Sequence, residues 1–130
     1  MAEAGRPVRS RLSRSAEFDR VYRHGRSAQH RLLVLYRFQR PEDVANPDNS
    51  TQECRIGITV SKKIGNAVVR NRLKRQLRAE LTGCEQLDTS CDYVAIAKPG
   101  LTELADRDHA ELSAIVSELV DRVTKTQSER

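Results

Sequence analysis

Residues 54–79 carry eight lysines and arginines and not one acid, and within them the spacing of the apolar residues changes. From Cys54 to Ser61 the alternation is strict. Ile56, Ile58 and Val60 point one way and Arg55, Gly57 and Thr59 the other, the period of a strand with one face in a core. From about Ala67 to Thr82 the period lengthens. Val69, Leu73, Leu77 and Leu81 form a stripe, Asn71, Lys74, Arg75 and Arg78 gather on a separate face, and Arg72 flanks the helix on a third side. A strand that runs through SKKIGN into a helix apolar on one side and cationic on another requires a layered fold, with the helix packed on the sheet. A solvated helix face normally mixes acids among its bases at i±4. Here Arg70, Arg72, Lys74, Arg75 and Arg78 repel one another with no acid in their own segment, as expected of a surface that meets a polyanion.

The remaining segments fill in the layers. Residues 1–11 are polar and Arg-rich and read as a flexible basic arm ahead of a single domain over 12–130. Ser13 or Ser15 can cap a first helix, Glu17 and Asp19 sit near its positive end, and Leu12 can staple its first turn. Phe18, Val21 and Tyr22 form its apolar stripe, and Gly25 is its stop. Arg31–Arg40 reads as a strand with Val34, Tyr36 and Phe38 on one face and Leu33 and Leu35 on the other. Residues 41–53, with two prolines and several turn formers, read as a solvent loop. That loop is too polar for a crossover helix, so strand 54–61 is expected to pair antiparallel with the first. A third strand, Asp92–Lys98, ends at Pro99-Gly100. A last helix over Asp108–Lys125 opens on Asp108 and Glu111 as an acidic capping box. The order helix, antiparallel strands, helix, strand, helix predicts an α+β fold, an α/β two-layer sandwich.

Charge and composition narrow the function. Residues 1–40 hold ten arginines against Glu3, Glu17 and Asp19, while the segments outside 1–40 and 54–79 are net acidic, for a total of +5. Basic stretches set against acidic ones suggest a one-sided footprint for nucleic acid. Apolar runs reach only about five residues, as in Leu32–Tyr36, against the ~20 a membrane helix needs. The Arg-rich start shows no apolar h-region of a secretory signal. Cys54, Cys84 and Cys91, an odd count with no C-x-x-C pair, read as reduced thiols in a cytoplasm rather than disulfides or a zinc site. His24, His30 and His109 have no metal-binding spacing, and no glycine-rich phosphate loop occurs. The carboxylates avoid the basic segment, where a metal-dependent nuclease would need them clustered. If this chain takes part in phosphodiester chemistry, the catalytic groups are expected elsewhere. Phe18, Tyr22, Tyr36 and Phe38 all lie in the basic first forty residues. They can be core, or they can line a groove between helix and sheet where bases stack.

SKKIGNAVVRNRLKRQLR, Ser61–Arg78, closely resembles the signature of the bacterial ribonuclease P protein component, and LSRSAEFDRVYRHG and the VLY of the first strand extend the match. The resemblance implies a small subunit bound to ribonuclease P RNA, with precursor tRNA as substrate and no membrane partner. It implies Mg²⁺-dependent endonucleolytic removal of the 5′ leader, with Mg²⁺ held alongside the RNA subunit, the catalytic groups on that RNA, and the protein broadening substrate range. By the same resemblance Lys62, Lys63, Arg70, Asn71, Arg72, Lys74, Arg75 and Arg78 are expected to contact the RNA subunit. Phe18, Tyr22 and Tyr36 are expected to line a cleft for the single-stranded leader, and a left-handed βαβ crossover is expected around the basic helix. Gln76 and Ala79 depart from residues common at those places in relatives. The alternatives are a free-standing RNA-binding module of ribosomal or chaperone type and, third, a protein-only nuclease.

Overall fold

The computed structural model describes residues 8–11, 15–40, 53–88 and 90–128. Strands β1 (Val8–Arg11), β2 (Arg26–Gln29), β3 (Leu33–Gln39), β4 (Glu53–Val60) and β5 (Cys91–Ala97) combine with helices α1 (Ser15–His24), α2 (Ala67–Thr82), α3 (Leu101–Arg107) and α4 (His109–Ser128). The strands form one sheet in the order β1-β4-β5-β3-β2. β4 runs parallel to β1 and to β5, whereas β5–β3 and β3–β2 are antiparallel.

The α+β class holds, but the expected pairing of β3 with β4 does not, because β5 lies between them. The reason is in β5 itself: residues 91–95 are all buried, so it is covered on both faces and takes the middle of the sheet. α2 supplies the crossover that the parallel β4–β5 pair requires. Residues 8–11, expected in a basic arm, instead form the edge strand beside β4, since backbone pairing does not depend on an apolar pattern. Leu12, Ser13 and residues 41–52 of the expected loop lie outside the described residues.

One face of the sheet carries Leu33, Leu35, Ile56, Val60, Tyr93 and Ala95 against α2, α3 and α4. Leu73, Leu77 and Leu81 of α2 and Leu112, Val116, Leu119 and Val120 of α4 are buried there. α3 was not expected because Pro99-Gly100 reads as a stop. Gly100, at φ 99°, instead turns the chain into seven further helical residues. Asp108 caps α4 by accepting the Glu111 N–H at 3.1 Å.

Among the described residues the helix on the other face is α1, ten residues long. Val21 at its centre is fully buried against Val94. Gly25 ends the helix close to β3: a Cβ there would stand 2.6 Å from the Val21 carbonyl oxygen and 2.7 Å from that of Arg37. The register sets three rows across this face, Arg55–Asp92–Phe38, Gly57–Val94–Tyr36–Ser27 and Thr59–Ile96–Val34–Gln29.

Candidate nucleic-acid interface

The first surface is the outer side of α2 and the turn before it. Lys62 and Lys63 stand exposed on a 3-10 turn. Asn66 then caps α2, its side-chain oxygen accepting the Val69 N–H at 3.0 Å. Asn71, Lys74 and Arg75 are exposed. The remaining cations are tied to the fold. Arg70 Nε donates to the Gly65 carbonyl at 3.1 Å and Arg78 Nη2 to the Ile56 carbonyl at 3.4 Å. Arg72 Nη2 lies 2.8 Å from Asp106 Oδ2 of α3, with both side chains more than 40% exposed. The freedom from acids in segment 54–79 therefore does not extend to three dimensions, where a neighbouring helix supplies one. The eight residues expected on this surface do share α2 and its leading turn, and those still open to a partner are Lys62, Lys63, Asn71, Lys74 and Arg75.

The second surface lies on the opposite face of the sheet. Phe18, Tyr22 and Tyr36 are half-buried and adjoin one another between α1 and the strands. The Tyr22 and Tyr36 rings meet edge-on at 5.2 Å and 69°, Phe18 and Tyr22 lie 6.3 Å apart, and the Tyr22 hydroxyl is 3.5 Å from Thr59 Oγ1. The core is on the other face, so these rings close no large cluster of their own. They pack with Phe38 and Ile96 around the buried pair Val21 and Val94, on the side of the sheet that α1 crosses. Rings with one face accessible can take a stacked base.

One end of this face holds a network that the sequence pattern did not reveal. Asp92, with 0% exposure, receives two bonds from Arg55, Nε to Oδ1 and Nη2 to Oδ2, both at 2.9 Å, and one from Arg40 Nη1 at 2.6 Å. Arg55 Nη1 also donates to Glu17 of α1 at 2.6 Å. Arg55 thereby joins β4, β5 and α1 and fixes how far α1 stands from the sheet. Burial alone would lower the Arg55 guanidinium, but Asp92 and Glu17 outweigh it and hold it above its ordinary value. The available clues were Arg55 on the outward side of its alternating strand and Asp92 as the one acid in an apolar strand. On the core side, Arg37 bonds the Tyr93 hydroxyl at 3.3 Å and Asp88 at 3.4 Å. Burial pushes the Tyr93 hydroxyl up to about 12 and the Cys91 thiol up to about 11, so Cys91 is no nucleophile. Cys54 is likewise buried and Cys84 half-buried. His30 accepts the Leu32 N–H at 3.0 Å and His109 lies 3.3 Å from Glu80. Among the described residues no group of three or more His, Cys, Asp or Glu could hold a metal ion, and no helix is long and apolar enough to cross a membrane.

A cationic helix on one face of the sheet and a group of aromatic rings on the other fit a small RNA-binding protein of the α+β class. The family model described as Ribonuclease P matches residues 7–124. The ribonuclease P protein component of Ligilactobacillus salivarius is 40% identical over 90 residues, covering 68% of this chain and 73% of the relative. That of Clostridium novyi is 35% identical over 113 residues, covering 86% and 91%. The Staphylococcus aureus RNase P protein structure superposes with a TM-score of 0.62 at 27% identity over 90% of this chain and 94% of the other. The Thermotoga maritima protein gives 0.67 at 25% identity over 85% and 96%. The chain belongs to the ribonuclease P protein family, the protein components of an endoribonuclease that acts in tRNA processing.

Proposed function

We infer that this chain is the auxiliary subunit of a ribonucleoprotein ribonuclease P in the cytoplasm, and that its two surfaces divide the work. Lys62, Lys63, Asn71, Lys74 and Arg75 grip the phosphates of the RNA subunit from the α2 side, with Arg70, Arg72 and Arg78 lending charge from positions tied to the fold. Phe18, Tyr22 and Tyr36 hold the single-stranded 5′ leader of precursor tRNA. The observation that carries this reading is the gathering of three half-buried rings between α1 and the sheet.

Hydrolysis falls to the RNA subunit and its Mg²⁺. In support, the carboxylates on this face are already engaged: Asp92 by Arg55 and Arg40, and Glu17 by Arg55. Holding the leader on rings rather than through base-edge hydrogen bonds tolerates many sequences, which fits a role in broadening substrate range. Reconstitution with the cognate RNA subunit at low Mg²⁺ is expected to raise the rate of precursor cleavage, and no stimulation would overturn the assignment. Tyr36→Ala is expected to weaken binding of leader-bearing substrate by about 1–3 kcal/mol, one stacked base, with little change for mature tRNA. Equal losses for both would make Tyr36 a packing residue. RNA binding without stimulation of cleavage would indicate the free-standing RNA-binding module, and cleavage by the chain without RNA would indicate a protein-only nuclease.

A further inference from the structure

Helix α1 has two flanks, and the rings of Phe18, Tyr22 and Tyr36 occupy only one. At about 100° per residue Phe18 and Tyr22 fall together, and Arg20 and His24 fall on the opposite side. That side stands over Phe38, the half-buried aromatic of β3 in the row of Asp92. The Arg20 guanidinium carbon lies 5.2 Å from the centre of the Phe38 ring, within reach of a cation–π contact, and the exposed His24 ring lies 6.4 Å from it.

Among the described residues three guanidiniums, Arg55, Arg40 and Arg20, approach Asp92. Asp92 is held by Arg55 and Arg40, and Glu17 by Arg55. Arg20 is a third guanidinium beside Asp92, and its approach, Nη2 to Oδ2 at 3.9 Å, is too long for a hydrogen bond. Its Nε is buried with no acceptor among the described residues, while the side chain as a whole is 35% exposed. The nearest other acid on α1, Asp19, lies 3.9 Å from Arg23. Arg20 is thus held over an aromatic ring with its Nε unused among the described residues.

We propose that Arg20, Phe38 and His24 form a second nucleotide subsite, across α1 from those rings, in which Arg20 takes a phosphodiester of single-stranded RNA and His24 stacks the adjoining base. The subsite rests on the reading of this face as an RNA-binding one. The same chemistry can come from the leader or from a single-stranded segment of the RNA subunit.

The test uses holoenzyme reconstituted with wild-type, Arg20→Gln, Arg20→Lys, His24→Ala or Tyr36→Ala protein. Dissociation constants are measured across a salt series for precursor tRNA, for mature tRNA and for the RNA subunit with protein alone. Arg20→Gln is expected to weaken one RNA by roughly three- to tenfold and to reduce its salt slope by about 0.7, the value for one single-strand phosphate. A loss confined to precursor tRNA identifies the leader as occupant, and a loss in RNA-subunit binding identifies the subunit. Arg20→Lys is expected to keep the slope while losing part of the affinity, because it keeps the charge without the planar fork. His24→Ala is expected to lower affinity at unchanged slope. Unchanged slopes for Arg20→Gln with every RNA would overturn the subsite, as would a lowered melting temperature with unaltered binding by the folded protein. If Tyr36→Ala loses leader affinity while Arg20→Gln loses nothing, only the subsite fails. If neither variant matters, the leader-binding reading fails with it.

Discussion

Two groups of cations that look alike in the sequence behave oppositely in the fold. On α2, Lys74 and Arg75 are exposed and make no ion pair among the described residues. Across the sheet, Arg55 and Arg40 close on Asp92, which has no exposure to water. The difference lies in the acid. A carboxylate set into the middle strand must be paired or it destabilises the fold, so the guanidiniums within reach are drawn to it. α2 offers no buried acid, and its Lys74 and Arg75 stay available to something outside the chain. A count of basic residues therefore says little about binding until the buried acids are located.

The sharpest way to break that contrast is to remove one cation from each group. Arg55→Met deletes three hydrogen bonds, two to Asp92 and one to Glu17. It leaves a buried carboxylate with Arg40 as its remaining close partner, at an expected cost of about 3 kcal/mol in urea unfolding. Arg75→Gln is expected to stay within about 0.5 kcal/mol of wild type. If the two variants lose similar stability, the separation of locked from available cations is wrong. The pair Arg55→Met and Asp92→Asn should also be less than additive in a double-mutant cycle, since each removes the same contact.

The sequence made some of this readable and hid the rest. α2 was legible to the residue, because the long stripe Val69, Leu73, Leu77 and Leu81 has little competition. The alternation of β4 placed Arg55 and Thr59 on the face away from the core. Strand order was not legible, since pairing is made by backbone groups common to all residues. β2, four residues reading RSAQ, carries almost no pattern. The meeting of the rings was half legible: Phe18 and Tyr22 share a helix face and Tyr36 and Phe38 a strand face, but their contact depended on α1 lying across that side of the sheet. Asp106 could not have been assigned to Arg72, because the helix that carries it follows a Pro-Gly pair that reads as a stop.

A middle-sized effect separates the groups by binding instead of stability. Arg75→Ala is expected to weaken the RNA subunit and to flatten the dependence of log K on log salt by about 0.7–0.9, one phosphate contact. An unchanged slope would remove Arg75 from the interface. Arg72 sits between the two groups, exposed yet paired. Asp106→Asn releases it and is expected to tighten RNA-subunit binding by about twofold, the scale of an exposed ion pair. No change, or weaker binding, would mark Arg72 as a strap between α2 and α3.

The smallest effect concerns the locked cation on the core side. Arg37 is buried and faces Asp88, whose carboxylate also accepts the Ser90 N–H at 2.9 Å and the Ser90 hydroxyl at 2.8 Å. Burial pushes this acid up, but the Ser90 bonds together with Arg37 and Arg40 outweigh it and hold Asp88 below its ordinary value. A carboxylate that is more acidic in the folded than in the unfolded chain adds stability that is present above the unfolded value, near 3.8, and is lost as pH falls through the folded one. Asp88→Asn should therefore be less stable than wild type at pH 7, and the gap should narrow as the pH is taken below about 4. Urea midpoints measured at pH 7 and pH 3 test this. A gap that stays constant would mean that Asp88 acts through its shape and its bonds to Ser90, with its charge on Arg37 contributing nothing.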